Sequence, residues 1–214
     1  MATLLMMALF GYSLYLLNGR FFSFLPFGNT VNRDIAAMQS ELQNTRTQLA
    51  PWKREEVSLL SFNKGKPLFK LRGMDTGIIE NIYQEPMLAY AHRRYNNPKL
   101  NGLLCVQNSE HLFAYKITDK GITIVVNNQI LGVLQQHNGV LYYSNTNKAI
   151  AKISDIASGS LVHIAAYGKE IGSIQSPTVA ASQVNPRVFM TYQPTTTEEE
   201  LILQALVFYT LCGK

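Results

Sequence analysis

The sequence predicts a mainly β protein: an antiparallel closed barrel of about a dozen strands around a hydrophobic C-terminal helix, preceded by an N-terminal transmembrane helix and a short helical stalk. Three observations predict it. Past Pro51, short runs rich in β-branched and aromatic residues alternate with turn residues every eight to twelve positions or so. The chain closes on a short segment apolar on every side, and the stretch from Ala2 to Leu17 carries no charge.

The N-terminal stretch is the first element. As a helix, Ala2 to Leu17 spans roughly 24 Å, a little short of a hydrocarbon core of about 30 Å. Phe21, Phe22, Phe24, Leu25 and Phe27 extend it into the interface, with Arg20 snorkelling and Pro26-Phe27-Gly28 ending the span. A cleaved signal peptide is the competing reading, but no basic segment precedes Leu4 and no small-x-small cleavage site follows Leu17. The expectation is an uncleaved single-pass anchor, residues 1–28, that contacts membrane lipid. Arg20, Arg33, Arg46, Lys53 and Arg54 all follow it, which places the rest of the chain on the cytoplasmic side.

Residues 29–51 form the expected stalk. Val31, Ile35, Met38, Leu42 and Leu49 fall at alternating fours and threes with one miss at Thr45, the spacing of a short amphipathic heptad helix. Its apolar stripe has two uses: a homotypic coiled coil or partner contact, or packing against its own domain. Pro51 stops it.

The third region, residues 57–214, carries the strands. Runs begin at Leu59, Leu68, Ile78, Leu103, Leu112, Ile122, Ile130, Val140, Ala149, Leu161, Ile171 and Val188. His137-Asn138-Gly139 is the strongest hairpin signal, since Asn-Gly suits the two positive φ angles of a type I′ turn. An internal echo links Leu131-Gly132-Val133-Leu134-Gln135 to Ile171-Gly172-Ser173-Ile174-Gln175, each after a strand and a tight turn, Asn127-Asn128 and Tyr167-Gly168. Gly132 and Gly172 then mark bulges or places where another element comes close. At the C-terminus, Thr197-Glu198-Glu199-Glu200 reads as a capping box opening Leu201 to Cys212. Roughly 18 Å of helix is too short for a bilayer, and a helix apolar all round has to be enclosed by protein.

Strands wrapped around a hydrophobic terminal helix resemble the tubby-like superfamily, which includes the tubby C-terminal domain, the LURP-one-related proteins and the phospholipid scramblases. The resemblance covers Val57 to Lys214, and its most specific element is the helix after Thr197. The stretch from Ile35 to Ser61 is similar to uncharacterised membrane-anchored bacterial proteins. Lipid binding is what this resemblance implies. The lysine and arginine cluster of phosphoinositide-binding members and the acidic calcium segment of scramblases have no residue-by-residue counterpart here.

Composition narrows the function classes. The 214 residues are 47% hydrophobic, enough for one core plus an anchor, and the net charge of +5 is dispersed. No run is dense enough to trace a nucleic-acid backbone. His92, His111, His137 and His163 lack metal-ligand spacing, Cys105 and Cys212 read as buried free thiols, and no Gly-rich phosphate loop follows a strand, so no cofactor is expected. Ser109-Glu110-His111 holds triad ingredients without a nucleophile elbow. The surface singled out for an anion or an acidic partner is His92, Arg93, Arg94, Tyr95 and Lys99, read as a loop. The functional expectation is a non-enzymatic, membrane-anchored binding or scaffolding module. An accessory structural subunit of a larger membrane assembly is the alternative, and a hydrolase stands behind both.

Overall fold

The structure, a computed structural model, describes residues 28–52, 58–96, 100–144, 146–154, 161–175, 187–192 and 195–213. Helix α1 (Gly28–Thr45) runs into a 3-10 turn, Arg46–Gln48. Twelve strands follow: β1 (Leu60–Gly65), β2 (Asp75–Asn81), β3 (Pro86–Arg94), β4 (Gly102–Gln107), β5 (Leu112–Thr118), β6 (Gly121–Val126), β7 (Gln129–Gln135), β8 (Val140–Tyr142), β9 (Ala149–Ile153), β10 (Leu161–Ala166), β11 (Lys169–Gln175) and β12 (Phe189–Thr191). Helix α2 (Thr197–Cys212) ends the described chain.

The strands form one sheet in chain order, each antiparallel to the next. This corrects the expected closed barrel, because β1 and β12 are the two edges of the sheet and share no ladder. They meet at one isolated bridge, Ser61 to Arg187, beside which the Val188 N–H donates to the Leu60 carbonyl at 2.9 Å. Strand β12 has three residues, too few to run a ladder along β1.

One face of the sheet bends around α2. Ile202, Leu203, Ala205, Leu206, Val207 and Phe208 are all buried, and they share one core with residues from every strand between β1 and β11. The Phe208 ring meets Phe113 and Trp52 edge-on, at centroid distances of 5.0 and 5.4 Å. Two polar side chains that enter this core find partners, the buried Tyr115 hydroxyl donating to the Ala205 carbonyl at 2.9 Å and Asn108 Nδ2 to Gln204 Oε1 at 3.2 Å, whereas the buried Trp52 Nε1 makes no hydrogen bond with the described residues. The helix cap falls one residue earlier than expected. Thr196 accepts from the Glu199 N–H while Glu199 accepts from the Thr196 N–H, so the reciprocal box is Thr196 with Glu199. Three successive threonines before three glutamates allow several phases, and packing of the helix selects one.

Helix α1 lies on the opposite face. Val31, Met38, Leu42 and Leu49 are buried against Ala89 and Ala91 of β3, Leu103 and Cys105 of β4, and Leu112 of β5. The apolar stripe is therefore spent within the chain and α1 is no free-standing stalk. Thr45, the miss in the heptad, is buried with its hydroxyl donating to the Leu42 carbonyl at 2.7 Å.

Two strand assignments need correction. Leu68 to Leu71 is not a strand; it is a loop whose Phe69 carbonyl accepts from the Thr76 hydroxyl at 3.0 Å. Strand β3 was not expected at all, because Pro86-Met-Leu-Ala-Tyr-Ala lacks β-branched residues and reads poorly as a strand. Its alanines suit the place it occupies, since small side chains on the outer face let α1 approach closely. The turn at His137-Asn138-Gly139 also differs. Gly139 alone has positive φ there, and its N–H donates to the Gln135 carbonyl at 2.9 Å, closing a longer loop. Two-residue turns with both central φ positive are Asn127-Asn128 and Tyr167-Gly168, the pair that belongs to the internal echo.

Among the described residues no helix is long and apolar enough to cross a membrane. The expected anchor, Leu4 to Leu17, lies outside the described residues.

Candidate functional site

The basic cluster singled out in the sequence is divided by the strand that carries it. Side chains alternate along β3, so His92 goes into the interior while Arg93 faces α1. His92 is buried beside Gly102, and burial, with Arg94 adding to it, lowers its pKa, so it is neutral rather than cationic. Arg93 pairs with Asp34 of α1 at 2.9 Å, and the Tyr95 hydroxyl donates to the other Asp34 oxygen at 2.5 Å. The Arg93 guanidinium also sits 5.4 Å from the Tyr95 ring centroid. Arg94 is exposed, and Lys99 lies outside the described residues. Arg93 and Tyr95 thus form a clamp that holds α1 to the sheet, leaving Arg94 as the exposed cation among the described residues of the set.

Asp34 was legible in principle. It lies between Val31 and Ile35, on the edge of the apolar stripe, so docking that stripe carries the carboxylate into the interface. Nothing local showed which basic residue would meet it.

The triad ingredients are used structurally. Asn108 Oδ1 accepts from the N–H groups of Glu110 and His111 at 2.8 and 2.5 Å, an Asx-type turn. Ser109 Oγ accepts from the Trp52 N–H at 2.6 Å, and His111 Nδ1 pairs with Asn127 Nδ2 at 2.8 Å. Cys105 and Cys212 are free and buried, with burial pushing both thiols up to about 12. On the outer face of β10 and β11, half-exposed His163 bonds through Nδ1 to Glu170. No group of three or more His, Cys, Asp or Glu side chains able to hold a metal occurs among the described residues.

A concave feature that the sequence did not reveal lies at the C-terminal end of α2. Leu134, the β7–β8 loop from Gln136 to Gly139, the end of β9 with Lys152, Ile153 and Ser154, and Tyr209 and Thr210 of α2 enclose about 580 Å³, open on one side. Gln136 Nε2 donates to the Tyr209 hydroxyl at 3.1 Å. Burial raises the Tyr209 pKa despite that bond, so the phenol keeps its proton. The volume falls in the range of small-molecule sites. Three separate segments of chain build it, 134–139, 152–154 and 209–210, which is why no linear motif announces it.

Compared with protein-family models, with curated proteins and with solved structures, the chain matches none.

Proposed function

We propose that this chain is a membrane-anchored binding or scaffolding module with no catalytic role of its own. The observation that carries the reading is α2: a helix buried on nearly every face occupies the interior that a strongly bent sheet would otherwise offer to a substrate. Recognition then falls to the outer surface and the ends of the sheet. In this reading the open sheet wrapped on α2, its edges touching at the Ser61–Arg187 bridge, is tubby-like, and residues 4–17 anchor it to the membrane with the domain in the cytoplasm. Arg94, at the end of β3 that extends past its ladder with β2, supplies the surface for an anionic headgroup or acidic partner.

The exposed apolar side chains Ile130, Tyr143, Tyr167 and Met190 favour a second reading, an accessory subunit of a larger membrane assembly. Purification of the full chain from native membranes in mild detergent tests both. A protein that resists alkaline extraction, starts before Asn18 and carries lipid or a stoichiometric partner is the expected result. A chain recovered from the soluble fraction with its N-terminus beyond Asn18 ends the anchored reading.

A further inference from the structure

Charge is divided between the two ends of the sheet. Each strand is antiparallel to the next, so the connections alternate between ends: those leaving odd-numbered strands lie at one end and those leaving even-numbered strands at the other. Helix α1 begins at the first of these ends, because Asp34 meets Arg93 and Tyr95 where β3 finishes. It finishes at the second, where Arg46 Nε donates to the Ser109 carbonyl of the β4–β5 connection at 2.7 Å. At the first end Arg33, Lys66, Lys70, Arg72, Arg94 and Lys120 are exposed, against the exposed carboxylates Asp75 and Asp119 among the described residues. None of these cations makes an ion pair with a described residue. Phe69, Leu71 and Met74 pack with Ile35 and Tyr95 on the core under α1, which brings the connection bearing Lys66, Lys70 and Arg72 alongside the start of the helix. At the other end Glu85, Glu110 and Glu198 are exposed, with Arg46 and Lys148 against them. The Tyr167 hydroxyl of the β10–β11 connection donates to Glu198 Oε1 at 2.5 Å, which fixes the acidic first turn of α2 at that end.

From this polarity we propose that the end of the sheet where α1 begins lies against an anionic bilayer, with the acidic end directed away from it. Basic residues near an anionic leaflet each strengthen association roughly fivefold, and the attraction falls off within a Debye length of about 8 Å at physiological salt. The partial positive charge of the α1 N-terminus adds to theirs. The chain also enters at this end. Residues 18–27, which separate α1 from the uncharged stretch 4–17, reach at most about 35 Å, so a membrane met by that stretch is close to the basic end. Cations that are dispersed along the chain are thus gathered by the alternation of connections, and an end-on orientation follows from attraction at one end and repulsion at the other. The choice of a bilayer over another polyanion rests on the anchored reading; the polarity does not.

The full chain reconstituted into vesicles of phosphatidylcholine, alone or mixed with phosphatidylserine, tests the orientation. A donor dye is attached at the basic end through Leu68→Cys or at the acidic end through Tyr83→Cys, both exposed positions, the native thiols being buried. Energy transfer to an acceptor on the lipid headgroups is then read. Phosphatidylserine should raise transfer from the Leu68 site and leave the Tyr83 site unchanged or lower, and added salt should return the Leu68 site to its value in phosphatidylcholine. The combined reversal Lys70→Glu, Arg72→Glu and Arg94→Glu should abolish the rise, while Lys148→Glu, at the acidic end, keeps it. Equal transfer from the Leu68 site in both lipids, a rise at the Tyr83 site instead, or a reversed variant that responds as the parent does overturns the proposal. Binding of duplex RNA by a chain indifferent to phosphatidylserine assigns the surface to nucleic acid and overturns it too. Alkaline washing of the same vesicles reads the anchor separately: a chain that washes off yet shows the rise at the Leu68 site ends the anchored reading and keeps the orientation.

Discussion

Gly132 and Gly172 occupy equivalent places in two copies of one hairpin. Gly132 faces Ile124 and Gly172 faces Ile164, each immediately beyond a one-residue bulge, and each hairpin is joined by a turn with two positive φ angles. A Cβ at Gly132 would collide with the Tyr142 carbonyl oxygen of β8; a Cβ at Gly172 would lie 2.5 Å from the Met190 carbonyl oxygen of β12. Both glycines therefore exist for close approach of the next strand. Gly132→Ala should destabilise by about 2 kcal/mol, since the obstructing atom is backbone in a strand held on both sides. Gly172→Ala should cost less because β12 is a three-residue edge that can move. Urea denaturation of the two variants checks the order; a larger loss at Gly172 would contradict it.

The Asp34 carboxylate gathers Arg93 and Tyr95 where it is almost fully buried. Asp34→Ala leaves a largely buried guanidinium without its anion and should cost about 3 kcal/mol. Replacing the cation as well, with Arg93→Met, should restore part of that loss. A double-mutant cycle followed by chemical denaturation measures the coupling, and simple additivity would show that the pair does not hold α1.

Alkali should unfold the protein through its buried thiols. Cys105 and Cys212 are raised from 9.0 to about 12 by burial, so above pH 9 the unfolded chain loses protons that the folded chain keeps. Stability is then complete below about pH 9 and falls as pH rises toward 12, by about 1.4 kcal/mol per pH unit for each thiol. The double variant Cys105→Ala, Cys212→Ala should flatten the slope between pH 9 and 10. In the parent at pH 8, neither thiol should react with a polar disulfide reagent until denaturant is added.

Leu206 is fully buried in the middle of α2. Leu206→Asp should prevent folding or lower the melting temperature drastically, because an unpaired carboxylate there is costly even after it neutralises. Lys148→Asp, at an exposed position, should change stability by no more than about 0.5 kcal/mol. Equal melting temperatures for the two variants would show α2 to be peripheral.

Removing residues before 57 strips α1 from the sheet. The face of Ala89, Ala91, Leu103 and Cys105 is then exposed to water, and such a fragment should self-associate in light scattering where the full chain in detergent does not.

Local pattern alone determined most of this protein. Short runs of β-branched and aromatic residues between turn residues marked eleven of the sheet's strands to within a few residues, the Asn127-Asn128 and Tyr167-Gly168 turns marked two hairpins, and the all-round apolarity of Leu201 to Cys212 required a helix enclosed by protein. Tertiary structure decided the rest. Strand β3 exists because β2 and β4 pair with it and α1 covers its alanines, interactions between residues far apart in the chain that no window reports. The same distance separates Asp34 from Arg93, so a cluster that reads as a basic surface becomes an internal clamp once β3 alternates its side chains across the sheet. Edge closure was undetermined for a related reason: it depends on pairing between the first and last strands, far apart in the chain, and that pairing amounts to the single Ser61–Arg187 bridge rather than a ladder.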